Sequence, residues 1–326
     1  MPALIGTDIK HAADILRAGG LVAIPTETVY GLGADATNLE SVAKIFAAKQ
    51  RPEFDPLIVH LANVEKLSEI VEDVPAAAEK LIQAFWPGPL TLLFRKRDVI
   101  PDLVTAGLDT VAVRIPAHPL ALEILEAADV PVAAPSANKF GSISPTTAQH
   151  VADQLGDEVD YILDGGPCTV GLESTIVSCL AERPEILRLG GLSLEQIETV
   201  VGSAIVRKAS SDPGHQVKES AAQLAPGMLK RHYAPRKPLI VVDSLNEIEL
   251  QPGDALLLPW KLSNAPENLP SAILSTPKDL TECAARFFSA LRTLDSSEAQ
   301  RIVAIRFPNE GLGRALNDRL ERASAR

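Results

Sequence analysis

The chain has 326 residues, more than the ~100–200 of one ordinary domain, so two domains are expected. Apolar residues make up 46% and charged residues 22%, enough to bury a substantial core, which excludes disorder along the whole length. A net charge of −11 argues against a generic polyanion binder, and no apolar run approaches the ~18 residues that span a bilayer, so the sequence reads as a cytoplasmic protein with no membrane partner.

Residues 1–202 alternate short β-branched runs with helical patterns, which defines an α/β domain. Strands are expected at 21–25, 57–61, 90–94, 111–115, 130–135, 161–163, 175–178 and 186–189. Asn38 is placed to cap a helix that puts Leu39, Val42, Ile45 and Phe46 on one face, and Ser144-Pro145 has the cap-plus-first-turn pattern of a helix running to Leu155. Further helices are expected at 117–128 and 193–201. Residues 203–237 then lose their periodicity and carry Ser210-Ser211-Asp212-Pro213-Gly214, Ala225-Pro226-Gly227 and Ala234-Pro235, the composition of a connector. Structureless segments beyond ~12–15 residues are usually functional or disordered. This one lies in a basic stretch: residues 201–237 hold 7 Lys/Arg and 2 Asp/Glu, against 14 and 28 in residues 1–200. Beyond it, strands at 238–242, 255–258 and 302–307 with helices at 279–294 and 313–323 predict a small, mostly parallel open-sheet domain over 238–326.

Cys168, Cys179 and Cys283 form no CxxC pair, which fits a reducing compartment and disfavours a structural zinc site. Gly31-Leu-Gly33-Ala-Asp-Ala36 imitates a dinucleotide fingerprint, but Pro25-Thr26-Glu27-Thr28-Val29-Tyr30 separates it from its strand. Gly166–Gly171 has Walker spacing, but Leu172-Glu173 stands where Lys-Ser/Thr would hold phosphate and magnesium. GxSxG and HExxH are absent from the sequence.

Four segments are polar where a plain α/β core needs no polarity. They are Pro25-Thr-Glu-Thr-Val-Tyr-Gly-Leu-Gly33, Lys49-Gln-Arg51 with His60, Ser136-Ala-Asn138, and Ser174-Thr-Ile-Val177 followed by Arg188. In this order they resemble the YrdC-like domain family. With Pro226-Gly227-Met228, His232-Tyr233-Ala234-Pro235 and the tail domain, the chain resembles the two-domain threonylcarbamoyl-AMP synthases. The resemblance implies a twisted mixed-sheet YrdC-like catalytic domain (1–202), a linker acting as an active-site lid (203–237) and a smaller Rossmann-like α/β domain (238–326). It also implies a nucleotidyltransferase that makes threonylcarbamoyl-AMP and pyrophosphate from L-threonine, bicarbonate and ATP for threonylcarbamoyladenosine in tRNA. Mg2+ would arrive with ATP, with no protein ligand assigned. Partners would be the downstream tRNA threonylcarbamoyl transferase machinery and a weak tRNA contact.

Residue by residue, the resemblance assigns Lys49 and Arg51 to catalysis on the phosphates. The alternative for this pair is a helix C-terminus favoured by the dipole. It assigns Thr28, Tyr30, His60, Arg114, Ala134 and Ser174 to threonine. Asp55, Thr110, Ser136, Asn138, Ser144, Arg188 and Tyr233 go, with Lys49 and Arg51, to ATP. Several have a plainer alternative: a turn for Thr28, a core histidine for His60, a helix cap for Ser144, an interface aromatic for Tyr233. Arg114 breaks an apolar strand with a charge costly to bury unpaired, so either a substrate carboxylate or an internal Asp or Glu must meet it. Departing from the family's SANxSG, Lys139-Phe140-Gly141-Ser142 weakens any role for Ser142. A competing reading is an RNA-binding YrdC-like module without adenylation activity, which would have no use for Thr28, His60 and Arg114 together. Carbamoyl transfer in hydrogenase maturation would need further modules.

Overall fold

The computed structural model describes residues 3–207, 225–227 and 232–325; Met228, Lys230, Arg231 and most of the expected connector lie outside the described residues. In chain order the first strands are β1 (Leu4–Gly6), β2 (Val22–Ile24), β3 (Gly31–Asp35), β4 (Ile58–His60), β5 (Leu90–Arg95) and β6 (Thr110–Arg114). They are followed by β7 (Val132–Ala133), β8 (Tyr161–Leu163), β9 (Thr175–Ser178), β10 (Glu185–Arg188) and β11 (Ile205–Val206). These build one mixed sheet in the order β1-β8-β2-β3-β7-β4-β6-β5-β9-β10-β11. The last four, β12 (Leu239–Val242), β13 (Asp254–Leu258), β14 (Ser271–Ile273) and β15 (Arg301–Ile305), form an all-parallel sheet ordered β12-β15-β13-β14. The helices of the first part are α1 (Ile9–Arg17), α2 (Leu39–Lys49), α3 (Leu67–Ile70), α4 (Ala76–Phe85), α5 (Asp102–Thr105), α6 (Pro119–Ala128), α7 (Ala148–Leu155) and α8 (Leu194–Val201). Those of the second are α9 (Leu280–Ser296) and α10 (Gly313–Ser324).

Several starts follow from local chemistry. Asn38 accepts from the amides of Glu40 and Ser41 to begin α2, Ser193 and Gln196 form a reciprocal capping box at α8, and Asp279 caps α9. The expected cap at Ser144 is corrected: Thr147 caps α7, and the Ser144 hydroxyl is turned to Glu173 at 2.6 Å instead. The Gly31–Asp35 stretch, which imitated a nucleotide fingerprint, is a strand paired antiparallel to β2, with Gly33 opposite Val22. A Cβ at Gly33 would stand 2.7 Å from Ile24 and 3.0 Å from Val132, so glycine serves strand packing there. β1, β3, β11, β14, α1, α3, α4 and α5 were not foreseen. Because β11 pairs with β10, the first sheet continues past residue 202 to Val206.

The two sheets do not enclose separate cores throughout. One buried cluster joins Phe287, Phe288, Leu291 and Leu316 of the second part to Val29, Ile143 and Leu172 of the first, with Tyr233 among them. Burying such apolar surface contributes about 25 cal/mol per Å2. The interface is therefore a packed seam that holds the 232–234 segment between α9 and the Phe140–Ser142 loop.

Candidate active site

β4 and β6 run parallel with His60 in register with Arg114, and both strands end at one cleft. The Thr26–Tyr30 loop leaves β2 beside them after Pro25. Thr26 organises this loop, donating to the Val29 carbonyl at 2.6 Å and lying 2.8 Å from the Thr28 hydroxyl. Thr28 accepts from Arg114 Nη1 at 2.8 Å, while Arg114 Nε donates to the Gly88 carbonyl at 3.2 Å. Glu27 Oε1 lies 2.6 Å from Arg114 Nη2 as an ion pair without the alignment of a hydrogen bond. The internal carboxylate allowed for Arg114 is thus Glu27, and the guanidinium still faces the cleft. Burial, with Arg114 next to it, lowers His60 to about 3, so the imidazole is neutral, and its Nδ1 has no hydrogen-bond partner.

On the opposite wall Arg51 donates to the carbonyls of Asp55 (3.1 Å) and Pro56 (2.8 Å) and pairs with the Asp55 carboxylate at 2.9 Å. Gln50 makes this turn possible by closing α2 in the left-handed conformation. Arg188, at the end of β10, donates to the Ser174 carbonyl (2.9 Å), the Ser174 hydroxyl (3.1 Å) and the Pro226 carbonyl (3.0 Å). Among the described residues no carboxylate forms an ion pair with Arg188, although it is buried. Ser174 also shares a 2.7 Å hydrogen bond with Thr91.

Two pieces of the connector close the cleft. Gly227 has φ +80, and a Cβ there would lie 2.8 Å from the Tyr233 hydroxyl and 3.2 Å from Arg188, so only glycine fits. Ala234 pairs with Ser142 and donates to the Gly141 carbonyl at 2.8 Å, which ties the strap to the Ser136–Ser142 loop. Tyr233 is buried with its hydroxyl unpartnered and aimed at the cleft, and burial pushes it up to about 12. His232 packs between Phe140 and Tyr233, and burial, followed by Arg51 and Lys49, pushes it well below the usual histidine range.

Of the residues expected at the site, Thr28, His60, Arg114, Ala134 and Ser174, assigned to threonine, and Arg51, Ser136, Arg188 and Tyr233, assigned to ATP, all line the cleft. The remaining six do not line the closed cleft. Tyr30 is turned away, donating to the Gly166 carbonyl at 2.7 Å. Lys49 sends its ammonium to the Ser136 and Asn138 carbonyls, and burial and then Arg51 push it well below the usual lysine range. It shapes the loop that carries Ser136. Asn138 bonds the carbonyls of Lys139 and Ser142 within that loop. Asp55 stands behind Arg51, and Ser144 behind Glu173. Thr110 begins β6, opposite Arg95 and at the far end from Arg114, some 13 Å away at ~3.3 Å per residue. Cys168 is buried, its thiol pushed up to about 12 by burial.

Glu173 and Thr26 line the cleft without having been foreseen as site residues, and Arg319 stands directly behind it. Arg319 was visible in principle, because Leu316, Arg319, Leu320 and Ala323 fall on one helical face and a guanidinium interrupts that apolar stripe.

A two-domain α/β chain whose strand ends present guanidinium groups, a neutral imidazole and small hydroxyls to a strap-covered cleft belongs to the class that binds small anionic substrates. Comparison with known proteins is specific. The Sua5/YciO/YrdC family model, described as telomere recombination, matches residues 14–190, and the model of the threonylcarbamoyl-AMP synthase C-terminal domain matches 192–325. The chain is 41% identical over 323 residues to threonylcarbamoyl-AMP synthase of Pyrococcus abyssi, covering 97% of this chain and 94% of that one. It is 41% identical over 326 residues to the Bacillus subtilis protein of the same name, covering 97% and 92%. A crystal structure of P. abyssi Sua5 complexed with L-threonine superposes with a TM-score of 0.89 at 38% identity, covering 99% of this chain and 98% of that one. The chain belongs to the two-domain threonylcarbamoyl-AMP synthase family. Its fold is the expected YrdC-like mixed sheet with a smaller parallel-sheet α/β domain.

Proposed function

We propose that the cleft condenses L-threonine, bicarbonate and ATP into threonylcarbamoyl-AMP and pyrophosphate, a nucleotidyl transfer whose product feeds a tRNA-modifying transferase in the cytosol. The observation that carries this reading is Arg188: a buried guanidinium facing the cleft without a carboxylate calls for an anionic ligand. The competing reading, an RNA-binding module, gives no use for a neutral His60 next to the Thr28–Arg114 pair. Weak tRNA contact stays secondary to it.

Arg114, oriented by Glu27 and Thr28, receives the threonine carboxylate; His60, Ala134 and Ser174 shape the side-chain pocket. The threonine amine, once deprotonated, adds to bicarbonate with loss of water to give the carbamate. A carbamate oxygen then attacks the α-phosphorus, and the bond to the bridging oxygen breaks to release pyrophosphate. Arg51 and Arg188 stabilise charge on the phosphates, with Ser136 and Tyr233 on the nucleotide side. Lys49, Asn138, Asp55 and Ser144 contribute one layer back, by fixing the loop, Arg51 and Glu173. In this reading Mg2+ comes as part of the substrate, carried by the ATP phosphates, with no protein ligand assigned.

With the strap in place the cleft encloses about 50 Å3, far below the ~300–1,000 Å3 of ordinary ligand sites, so Ala225–Gly227 and His232–Ala234 must lift for ATP to enter and then exclude water from the carbamate. The direct test is pyrophosphate release from ATP with threonine omitted, with bicarbonate omitted, and with serine in place of threonine. Release that depends on both omitted substrates is expected; release indifferent to threonine would sink the proposal.

A further inference from the structure

We propose that Arg319, on α10 of the C-terminal domain, is a positioning residue through which that domain completes the nucleotide side of the cleft. The proposal rests on the functional reading above and names a residue from outside the catalytic sheet. Arg319 is fully buried. Its Nε donates to Glu173 Oε2 at 2.8 Å, its Nη2 to the Leu189 carbonyl at 2.9 Å and its Nη1 to Asp318 at 2.5 Å. Its Cζ lies 4.9 Å from the centre of the Tyr233 ring, within cation–π range.

Each contact leads to the cleft. Glu173 is one of its walls, with its other oxygen held by Ser144. Leu189 follows Arg188 directly, and Tyr233 is the strap's aromatic. Arg319 therefore fixes a carboxylate, the backbone beside the unpaired Arg188 and the underside of the strap at once, which a planar five-donor guanidinium can do and an ammonium cannot. Among the described residues Arg319 is the only cation paired with Glu173. Without it a buried carboxylate would be left beside Arg188, free to pair with that guanidinium and withdraw it from the nucleotide. The threonine side depends on it far less: Thr28, His60 and Arg114 are held within the first sheet, and only Ser174, bonded to Arg188, adjoins the residues Arg319 holds.

The same helix supplies a control. Arg314, one turn nearer its N-terminus, pairs with Glu195 at the exposed rim of the domain seam, and Glu195 also accepts from the Gly311 amide at 3.4 Å. Weakening this contact loosens domain docking without touching the cleft.

The experiment uses full-length protein and compares Arg319→Met, Arg319→Lys and Arg314→Ala in pyrophosphate release with ATP and threonine varied separately, alongside threonine affinity by calorimetry and the melting temperature. Arg319→Met is expected to raise the KM for ATP at least ~10-fold and to lower kcat/KM for ATP by ~30-fold or more, the scale of breaking a buried charge-paired contact. Threonine affinity should change less than ~3-fold, and Arg314→Ala should stay within ~2-fold of wild type throughout. Arg319→Lys should fall between, since it keeps charge and loses the fork. Equal losses toward both substrates, or equal losses in Arg314→Ala and Arg319→Met, would overturn the proposal in favour of general docking. So would full activity in a folded Arg319→Met. If neither Arg319 variant folds, Arg319 is a folding residue and the proposal is wrong. Loss of threonine-dependent release in wild type would instead count against the functional reading itself.

Discussion

The two walls of the cleft are built by different means. The threonine wall comes from adjacent strand ends and one loop: His60 and Arg114 are set by the register of β4 with β6 and Thr28 by its hydrogen bond to Arg114, while Ser174, just before β9, is held by Thr91 and by Arg188 and so joins the two walls. The nucleotide wall is gathered from α2, β10, the connector and α10, and its parts are held by side chains reaching across the domain seam. A wall made of strand ends is rigid before substrate arrives, whereas one made of a strap and a neighbouring domain exists only when the chain is docked. Threonine binding should therefore survive insults that abolish nucleotide chemistry.

The largest separation is expected at Arg188 and Arg51. Arg188→Met should lower ATP-dependent turnover at least ~10²-fold, because one cation facing developing phosphate charge commonly contributes that much in a water-poor site. Its melting temperature should fall only modestly: the Ser174 and Pro226 carbonyls lose a donor, but no ion-paired carboxylate is orphaned and Arg319 and Arg114 lose a like-charged neighbour. Arg51→Met should lose similar activity and also be destabilised, by about 3–5 kcal/mol, because buried Asp55 would keep a charge without its partner. Parallel kinetics with a clearly larger thermal loss in Arg51→Met is the result to look for; a stable Arg51→Met would mean Asp55 is already protonated.

Next in size is Arg114→Leu. It should raise the KM for threonine ~10–100-fold with little change for ATP, since a charged hydrogen bond to a carboxylate is worth a few kcal/mol. Because Glu27 would be stranded, the cleaner variant is the pair Arg114→Leu with Glu27→Gln, which should restore melting temperature without restoring threonine binding. Equal kinetic losses for ATP and threonine would erase the distinction between the walls.

A smaller effect is expected at Tyr233, whose ring is gripped by Arg319 and Phe288 while its hydroxyl has no partner. Tyr233→Phe keeps the packing and removes only the group aimed at the cleft, so it should raise the KM for ATP ~3–10-fold and leave melting temperature and threonine affinity unchanged. A variant indistinguishable from wild type would reduce Tyr233 to packing.

Legibility in the sequence follows the same division. The strand-end residues announce themselves because a proline ends β2 and because Arg114 and His60 interrupt apolar runs, a pattern with few plain explanations. That Thr110 begins β6 at the end away from Arg114 is not legible because a strand's two ends look alike in sequence, and short polar motifs do not say which way the side chains of Tyr30, Lys49, Asn138 and Ser144 turn. Their hydrogen bonds run to backbone carbonyls or to Glu173, partners that no spacing rule reveals. β3 was hidden by its glycines, which read as a turn until pairing with β2 and β7 is known. Arg319 lies 146 residues from Glu173, and only the docking of α10 joins them.

The smallest expected effect, and the sharpest test of a preformed threonine wall, is in pH. Burial, and secondarily Arg114, lowers His60 from the ordinary 6.5 to about 3, and burial lowers His150 to about 4. Between these values and 6.5 the unfolded chain binds protons that the folded one refuses, so these groups make stability fall as pH drops through that window, with their contribution fully present above it. Threonine affinity should not follow, because His60 stays neutral in the folded protein from pH 8 down to 5.5 and its part in binding changes less than ~2-fold. Calorimetry across that range, beside melting curves from pH 7 to 4, separates the two. The expected outcome is flat binding with declining melting temperature, the decline partly relieved in His60→Gln. A binding midpoint near pH 6 that vanishes in His60→Gln would show that the imidazole meets water in the cleft, and that the threonine wall opens as readily as the nucleotide wall.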